Sequence, residues 1–318
     1  MIPISTRLKR PGIFIGIVSL LLLSLVPVTA RARTVGLILP KDCAFHPEAK
    51  DKFSAYLRAS GINDADVLLQ RPASDKVSRL NSMRKFLAIG ADVIIVWGGT
   101  SLKEIAGEAG KIPIVFIGAW DPVKSGIVGD LKKPGRNVTG VTGRTSIPYL
   151  IDNIVETTGN KSLGVLYHSQ IVDSAAQFEE LEGVASGKGV STLTVDLSKL
   201  SPVEASAKLQ PAPFLYLAQG CAVEGGVYEA LAALKKPAAT QNPGVTGGGV
   251  IFTLAPDMEE TIKVASEITG RILKGEKPGE IPVARINKIS FTINVGEARR
   301  LGIKIPFGVL NRGTEVIR

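Results

Sequence analysis

Three short segments gather the side chains that a small polar ligand needs. Cys43-Ala44-Phe45-His46-Pro47, Trp97-Gly98-Gly99-Thr100-Ser101 and Gly118-Ala119-Trp120-Asp121-Pro122 each follow an apolar run. Both tryptophans and one of the ten phenylalanines fall in them, in a chain only 5% aromatic. Aromatic faces, one carboxylate (Asp121), two hydroxyls (Thr100, Ser101) and the free amides of a helix opening at Gly99 suit a zwitterion. The amides take a carboxylate, Asp121 an ammonium, and the rings of Phe45, Trp97 and Trp120 an apolar or aromatic side chain. Each residue also has a plainer role. A strand-end tryptophan closes a core, Thr100 or Ser101 caps a helix, and Asp121 before Pro122 starts a turn. Their co-location favours the ligand reading. Ser169, beside His168 and Gln170, and Gln219, before Gly220-Cys221, hold the matching positions in the second half.

Other chemistries find fewer residues. The two histidines, His46 and His168, lack the closely spaced companions of a metal site, so neither metal nor other cofactor is expected. Thr246-Gly247-Gly248-Gly249 lacks the lysine and hydroxyl of a phosphate loop and reads as a flexible turn. There is no G-x-S-x-G elbow, and Ser82-Met83-Arg84-Lys85 falls inside a helical pattern without companion motifs. A non-enzymatic protein is expected.

Positioning such a site requires a large fold. The chain has 318 residues, 45% hydrophobic and 21% charged, with a formal charge of +9. These values exclude a disordered or fibrous protein. A mean hydropathy of +0.21 is inflated by the first 32 residues. There, Arg7, Lys9 and Arg10 precede a 14-residue apolar stretch, Ile13 to Val26, and Ala30-Arg31-Ala32 offers a small-residue cleavage site. Residues 1–32 therefore read as a signal peptide, with no cysteine placed for lipid attachment. The stretch is short for a membrane span. Removing its four basic residues and no acid from +9 leaves +5, too mild and scattered for nucleic acid. The expectation is a periplasmic monomer, in a compartment where Cys43 and Cys221 are free to pair or not.

Short β-branched runs alternate with helical patterns along the rest. Thr34–Leu39, Val93–Val96, Ile114–Ile117, Val138–Val141, Leu163–Tyr167, Leu193–Val195, Phe214–Leu217 and Val250–Leu254 read as strands covered on both faces. Between them, Phe53/Tyr56/Leu57, Val77/Leu80/Met83/Leu87, Phe178/Leu181/Ala185 and Met258/Ile262/Ala265/Ile268/Ile272 recur at helical spacing. Ser201-Pro202-Val203-Glu204 and Asp257-Met258-Glu259-Glu260 open helices. The alternation predicts α/β lobes with parallel sheets, and the strand count predicts two of them, dividing near Gly140–Pro148. In such sheets ligands bind beyond the carboxyl ends of the strands, where the three segments lie.

The stretch GADVIIVWGGTSLKEIA, with KIPIVFIGAWDPVKSGIVGDLKKPGRNVTGVTG after it, resembles the first lobe of ABC-transporter substrate-binding proteins of the tryptophan/tyrosine type. The tail KISFTINVGEARRLGIKIP is similar as well. The resemblance implies a two-lobed Venus-flytrap periplasmic binding protein with three crossovers, its lobes being 33–144 plus 245–279 and 145–244 plus 280–318. It implies a small organic ligand, such as an aromatic or branched amino acid, passed to an ABC permease in the inner membrane. The family's cleft contacts fall near Phe45, His46, Thr100, Ser101, Asp121, Ser169 and Gln219. Departures are the doubled Gly98-Gly99, the loop AQGCAVEGG, which lacks a Thr-Asp-Asn-like run, and the segment IFTLAPDMEETIK after Val250, which lacks a tyrosine-containing stretch. The competing function is a sensor presenting its closed form to a membrane receptor such as a histidine kinase.

Overall fold

The computed structural model describes residues 32–41, 48–218 and 227–318. The expected signal peptide up to Arg31, both cysteines, and the candidates Phe45, His46 and Gln219 lie outside them. In chain order the elements are β1 (Arg33–Ile38), α1 (Ala49–Ala59), β2 (Ala65–Gln70), α2 (Lys76–Ala88), β3 (Val93–Trp97), α3 (Gly99–Ile105), β4 (Ile114–Ala119) and β5 (Val138–Thr142). Next come α4 (Ile147–Thr158), β6 (Ser162–Tyr167), α5 (Val172–Gly187), β7 (Ser191–Asp196), α6 (Pro202–Leu209), β8 (Leu215–Leu217), α7 (Val227–Ala233), β9 (Ala238–Thr240) and β10 (Val250–Pro256). α8 (Met258–Leu273), a 3-10 turn at Pro278–Glu280, β11 (Ala284–Arg285), β12 (Ile289–Asn294), α9 (Val295–Arg300), α10 (Phe307–Leu310) and β13 (Glu315–Ile317) complete the chain.

The strands form two sheets, each flanked by helices. One has the order β11-β5-β4-β3-β1-β2 and is parallel throughout; the other has the order β13-β12-β10-β9-β8-β6-β7. Continuous apolar runs follow from burial on both faces. All five residues of β3 are buried. Val93 and Ile95 join Phe53 and Leu57 of α1 and Ile262 and Ala265 of α8, whereas Ile94 and Val96 join Met83 and Phe86 of α2 and Leu102 of α3. The second sheet repeats the arrangement, with Val165, Phe214 and Tyr216 on one face and Leu166, Leu215 and Leu217 on the other.

Local signals act as read. Ser201 and Glu204 form both halves of a capping box, and Asp257 accepts from the Glu260 amide at 2.9 Å. In α2 the inward face is rotated from the one that spacing predicts. Arg79, Ser82, Met83 and Phe86 are buried and Val77 is 65% exposed. The Phe86 ring decides this, because it lies over Gly36 of β1, where a Cβ would come within 2.8 Å of it.

The chain passes between the sheets three times, at 143–146, 257 and 286–288, each time at the carboxyl end of a parallel strand. This differs from the expected division. Val250–Pro256, which the resemblance puts in the first lobe, is a strand of the second sheet, and Ala284–Arg285, which it puts in the second, edges the first. Strand pairing sets the division here: β10 docks beside β9 before the chain leaves. The last crossing returns beside the second, with the Asp257 amide on the Lys288 carbonyl at 2.8 Å. β12 therefore enters at the end where β10 exits and must run antiparallel to it, Pro256 opposite Ile289. Sequence reading anticipated only parallel strands.

Candidate functional site

The carboxyl ends of β3 and β4 meet the start of α5 from the other sheet, and polar groups from both sides are buried there. Gly98, at φ +85°, turns the chain out of β3 into α3, a conformation that suits glycine. Its neighbour Gly99 is needed for space: a Cβ there would sit 2.3 Å from Asp173 Oδ1. The doubled glycine thus lets Asp173 approach the backbone. Asp173 Oδ2 accepts from the Gly99 amide at 2.7 Å, and Oδ1 from the Trp120 amide at 2.9 Å. Beside them Thr100 Oγ1 accepts from the Val172 amide at 2.9 Å.

Asp173 sits between opposing influences. Burial favours the neutral acid, while amides of Trp120, Gly99 and Thr100 favour the carboxylate. Burial prevails and raises the carboxyl to about 6. Asp196, at the end of β7, goes the other way. Burial would raise it, but the amides and hydroxyls of Ser169 and Ser198 together outweigh burial and hold it well below the usual carboxylate range. Its Oδ1 accepts from the Ser169 amide at 3.1 Å and the Ser198 amide at 2.9 Å.

A cavity of about 20 Å³ lies at this junction, lined by Pro40, Ser74, Arg79, Gly98, Thr100, Ser101, Ile171 and Asp173. That volume is about enough for one water. Arg79 is a buried cation, 5% exposed, held by Glu104 of α3 with Nη2 2.9 Å from Oε1. The wall therefore carries an anion from one sheet's helices and a cation from the other's.

The predicted site residues separate into groups. Gly99, Thr100 and Ser101 are brought to this junction. Trp97 and Trp120 are buried, at 3% and 1% exposure, so they form no aromatic rim among the described residues. Trp97 packs in the core of the first sheet. Trp120 packs with Ile147, Leu150 and Phe214 in the core of the second, and its Nε1 donates to Glu180 at 2.9 Å. Asp121 is occupied by its own turn, where its Oδ1 accepts from the Lys124 amide at 2.9 Å. The helix amides expected to take a ligand carboxylate hold Asp173 instead. Ser169 Oγ lies 2.8 Å from Ser198 Oγ, in the loop around Asp196. Among the described residues no three His, Cys, Asp or Glu side chains come together as a metal site.

Sequence reading missed Asp173, Gln177, Glu180 and Gln241. Gln177 Nε2 donates to Gln241 Oε1 at 3.0 Å, Gln241 Nε2 donates to Thr145 Oγ1 at 2.6 Å, and Tyr216 OH donates to Gln241 Oε1. A signal was present in α5: Asp173, Gln177 and Glu180 share the helix face that carries the buried Leu181, where polar residues are out of place.

A family model described as ABC transporter substrate binding protein matches residues 47–317. A tyrosine-binding protein of Clostridioides difficile (strain R20291) is 25% identical over 271 residues, covering 81% of this chain and 79% of that protein. Among solved structures, a conserved domain protein from Vibrio cholerae superposes with a TM-score of 0.80 at 22% identity, over 90% of this chain and 99% of the other. An ABC domain in complex with L-Trp from Streptococcus pneumonia gives a TM-score of 0.76 at 22% identity, with the same coverage. These structural likenesses are likenesses of fold: two lobes, each a mostly parallel sheet flanked by helices. Among the described residues no helix is long and apolar enough to cross a membrane.

Proposed function

The chain belongs to the ABC transporter substrate-binding protein family, and we propose that it binds an amino acid between its lobes and delivers it to an inner-membrane permease. In this reading the protein works in the periplasm, released from a signal peptide after Ala32. The lobes are 33–144 with about 257–286, and 145–256 with about 287–318, following strand membership. The ligand is an aromatic or branched amino acid.

The observation that carries the reading is the junction of strand exits from both sheets, where one cavity wall holds Asp173 and Arg79 together with the hydroxyls of Ser74, Thr100 and Ser101. Asp173, rather than Asp121, is the carboxylate that meets an ammonium, and Arg79 with the hydroxyls meets a carboxylate. The relative named for tyrosine and the neighbour holding L-Trp support an aromatic ligand. A cavity of this size requires the lobes to part before such a ligand enters. A ligand held only by the closed form then shifts the balance toward closure.

The test is a thermal shift of ligand-depleted protein against the common amino acids, followed by calorimetry. A ligand at a thousand times its Kd adds about 4 kcal/mol of stability, a rise of several degrees. One or a few stabilising amino acids are expected. A flat response across the whole set would exclude the amino-acid ligand.

A further inference from the structure

α5 presents Asp173, Gln177 and Glu180 at intervals of four and three, so the three share one helix face. All three reach the seam between the lobes. Asp173 accepts from the amides of Gly99 and Trp120, and Glu180 accepts from the Trp120 indole at 2.9 Å while pairing with Arg144 at 2.9 Å. Gln177 reaches Thr145 through Gln241, and the Thr145 hydroxyl donates to the Leu254 carbonyl at 3.2 Å. Arg144 and Thr145 belong to the first crossing, and Leu254 stands two residues before the end of β10, where the second begins.

Trp120 is divided between the lobes. Its backbone follows directly on β4 of the first sheet, while its ring packs in the core of the second. Both of its N–H groups end on α5 carboxyls, one at each end of the Asp173–Glu180 face. Separating the lobes at this point would strip a 1%-exposed indole of its packing and break two hydrogen bonds to acidic groups, which are stronger than neutral ones. Other contacts along the junction include the Gly99 amide on Asp173, the Val172 amide on Thr100 and the exposed Lys124–Glu179 ion pair, none of which buries a ring.

We infer that Trp120 is a fixed pivot between the lobes, gripped by Asp173 and Glu180 of α5 with and without ligand, about which the lobes open on the side of Pro40 and Ser74. The inference rests on the reading of an inter-lobe ligand cleft. It gives Trp120 a positioning role in place of the ligand-rim role that sequence spacing predicts.

Only Trp97 and Trp120 fluoresce as tryptophans, which makes the test direct. Trp97→Phe leaves Trp120 as the sole reporter; if that variant fails to fold, 5-fluorotryptophan labelling of the unaltered chain separates the two by fluorine NMR. Acrylamide quenching is measured on ligand-depleted protein, then with L-phenylalanine, which does not absorb at the tryptophan excitation wavelength. A pivot predicts Trp120 quenching several-fold below that of a free indole in both conditions. Efficient quenching without amino acid and shielding with it would overturn the pivot while leaving the binding reading intact. If no amino acid raises the melting temperature, the binding reading fails separately, and efficient quenching of the ligand-free protein still overturns the pivot. In small-angle scattering, Glu180→Ala should increase the radius of gyration of the ligand-free protein and Glu180→Gln, which keeps an acceptor for the indole, should restore it. A purely structural Glu180 would lower the melting temperature in both variants without changing the radius.

Discussion

Asp173→Asn separates two forces that meet on one carboxyl. In the folded chain Asp173 titrates at about 6, against 3.8 for the free group, because burial outweighs its amide donors. The folded protein thus holds this proton more tightly than the unfolded chain does. The contribution of Asp173 to stability is greatest below a pH of about 4 and is lost as pH rises through about 6. The difference corresponds to roughly 3 kcal/mol, or a melting-temperature change of about 5–10 °C in a protein of this size. Other carboxyls run oppositely: Asp257, Glu259 and Glu276 are held low by hydrogen bonds and basic partners, so their contributions appear as pH rises. The wild-type curve alone therefore mixes both trends. Asparagine keeps the size and one acceptor but cannot titrate, so the difference between variant and wild type isolates Asp173. The variant should start below wild type near pH 4, because its side-chain NH2 meets one of the two backbone N–H donors that Asp173 accepts from, and should gain on wild type by roughly 3 kcal/mol toward pH 7.5 in thermal or urea denaturation. A constant gap would refute the raised carboxyl. A gap moving the other way would mean that the Gly99 and Trp120 amides dominate and Asp173 is an ionised clasp.

Three further outcomes follow from single contacts. Gly99→Ala places a methyl 2.3 Å from Asp173 Oδ1 and should cost about 1–3 kcal/mol by overpacking, measured as a lower urea midpoint. Glu104→Ala strands the Arg79 guanidinium, whose side chain is 6% exposed, and should cost about 3–5 kcal/mol; a change under 1 kcal/mol would mean that water reaches the cation. Phe86→Ala leaves a void over Gly36 and should cost about 3–5 kcal/mol, with the melting temperature as readout.

The fold was legible where burial leaves a one-dimensional trace. Two-sided burial makes β3 and β4 continuous apolar runs, and capping residues at Ser201 and Asp257 mark helix starts by local hydrogen bonds. Relations between distant segments leave no such trace. Nothing in Ile289–Asn294 says that it enters beside Pro256 and so runs antiparallel, because the direction is set by where the crossing lands. The same holds for β10, whose apolar run would suit either sheet.

The site was legible as places and less so as roles. Strand exits carrying Gly98-Gly99-Thr100-Ser101 and Trp120-Asp121 do lie where the two sheets meet, since parallel topology brings carboxyl ends together. Whether a polar group there faces a ligand or its own chain depends on what the opposite lobe supplies. Asp121 accepts from the Lys124 amide three residues on, within a local turn. Asp173 has no local partner and is held by amides 53 and 74 positions away. A residue's chemistry at a two-lobed junction is therefore set by sequence separation as much as by type. Short-range partners make turns and caps, and only side chains whose partners lie across the seam tie the two lobes together. By that criterion Asp173, Glu180 and Trp120 hold the lobes to each other, and Asp121 does not.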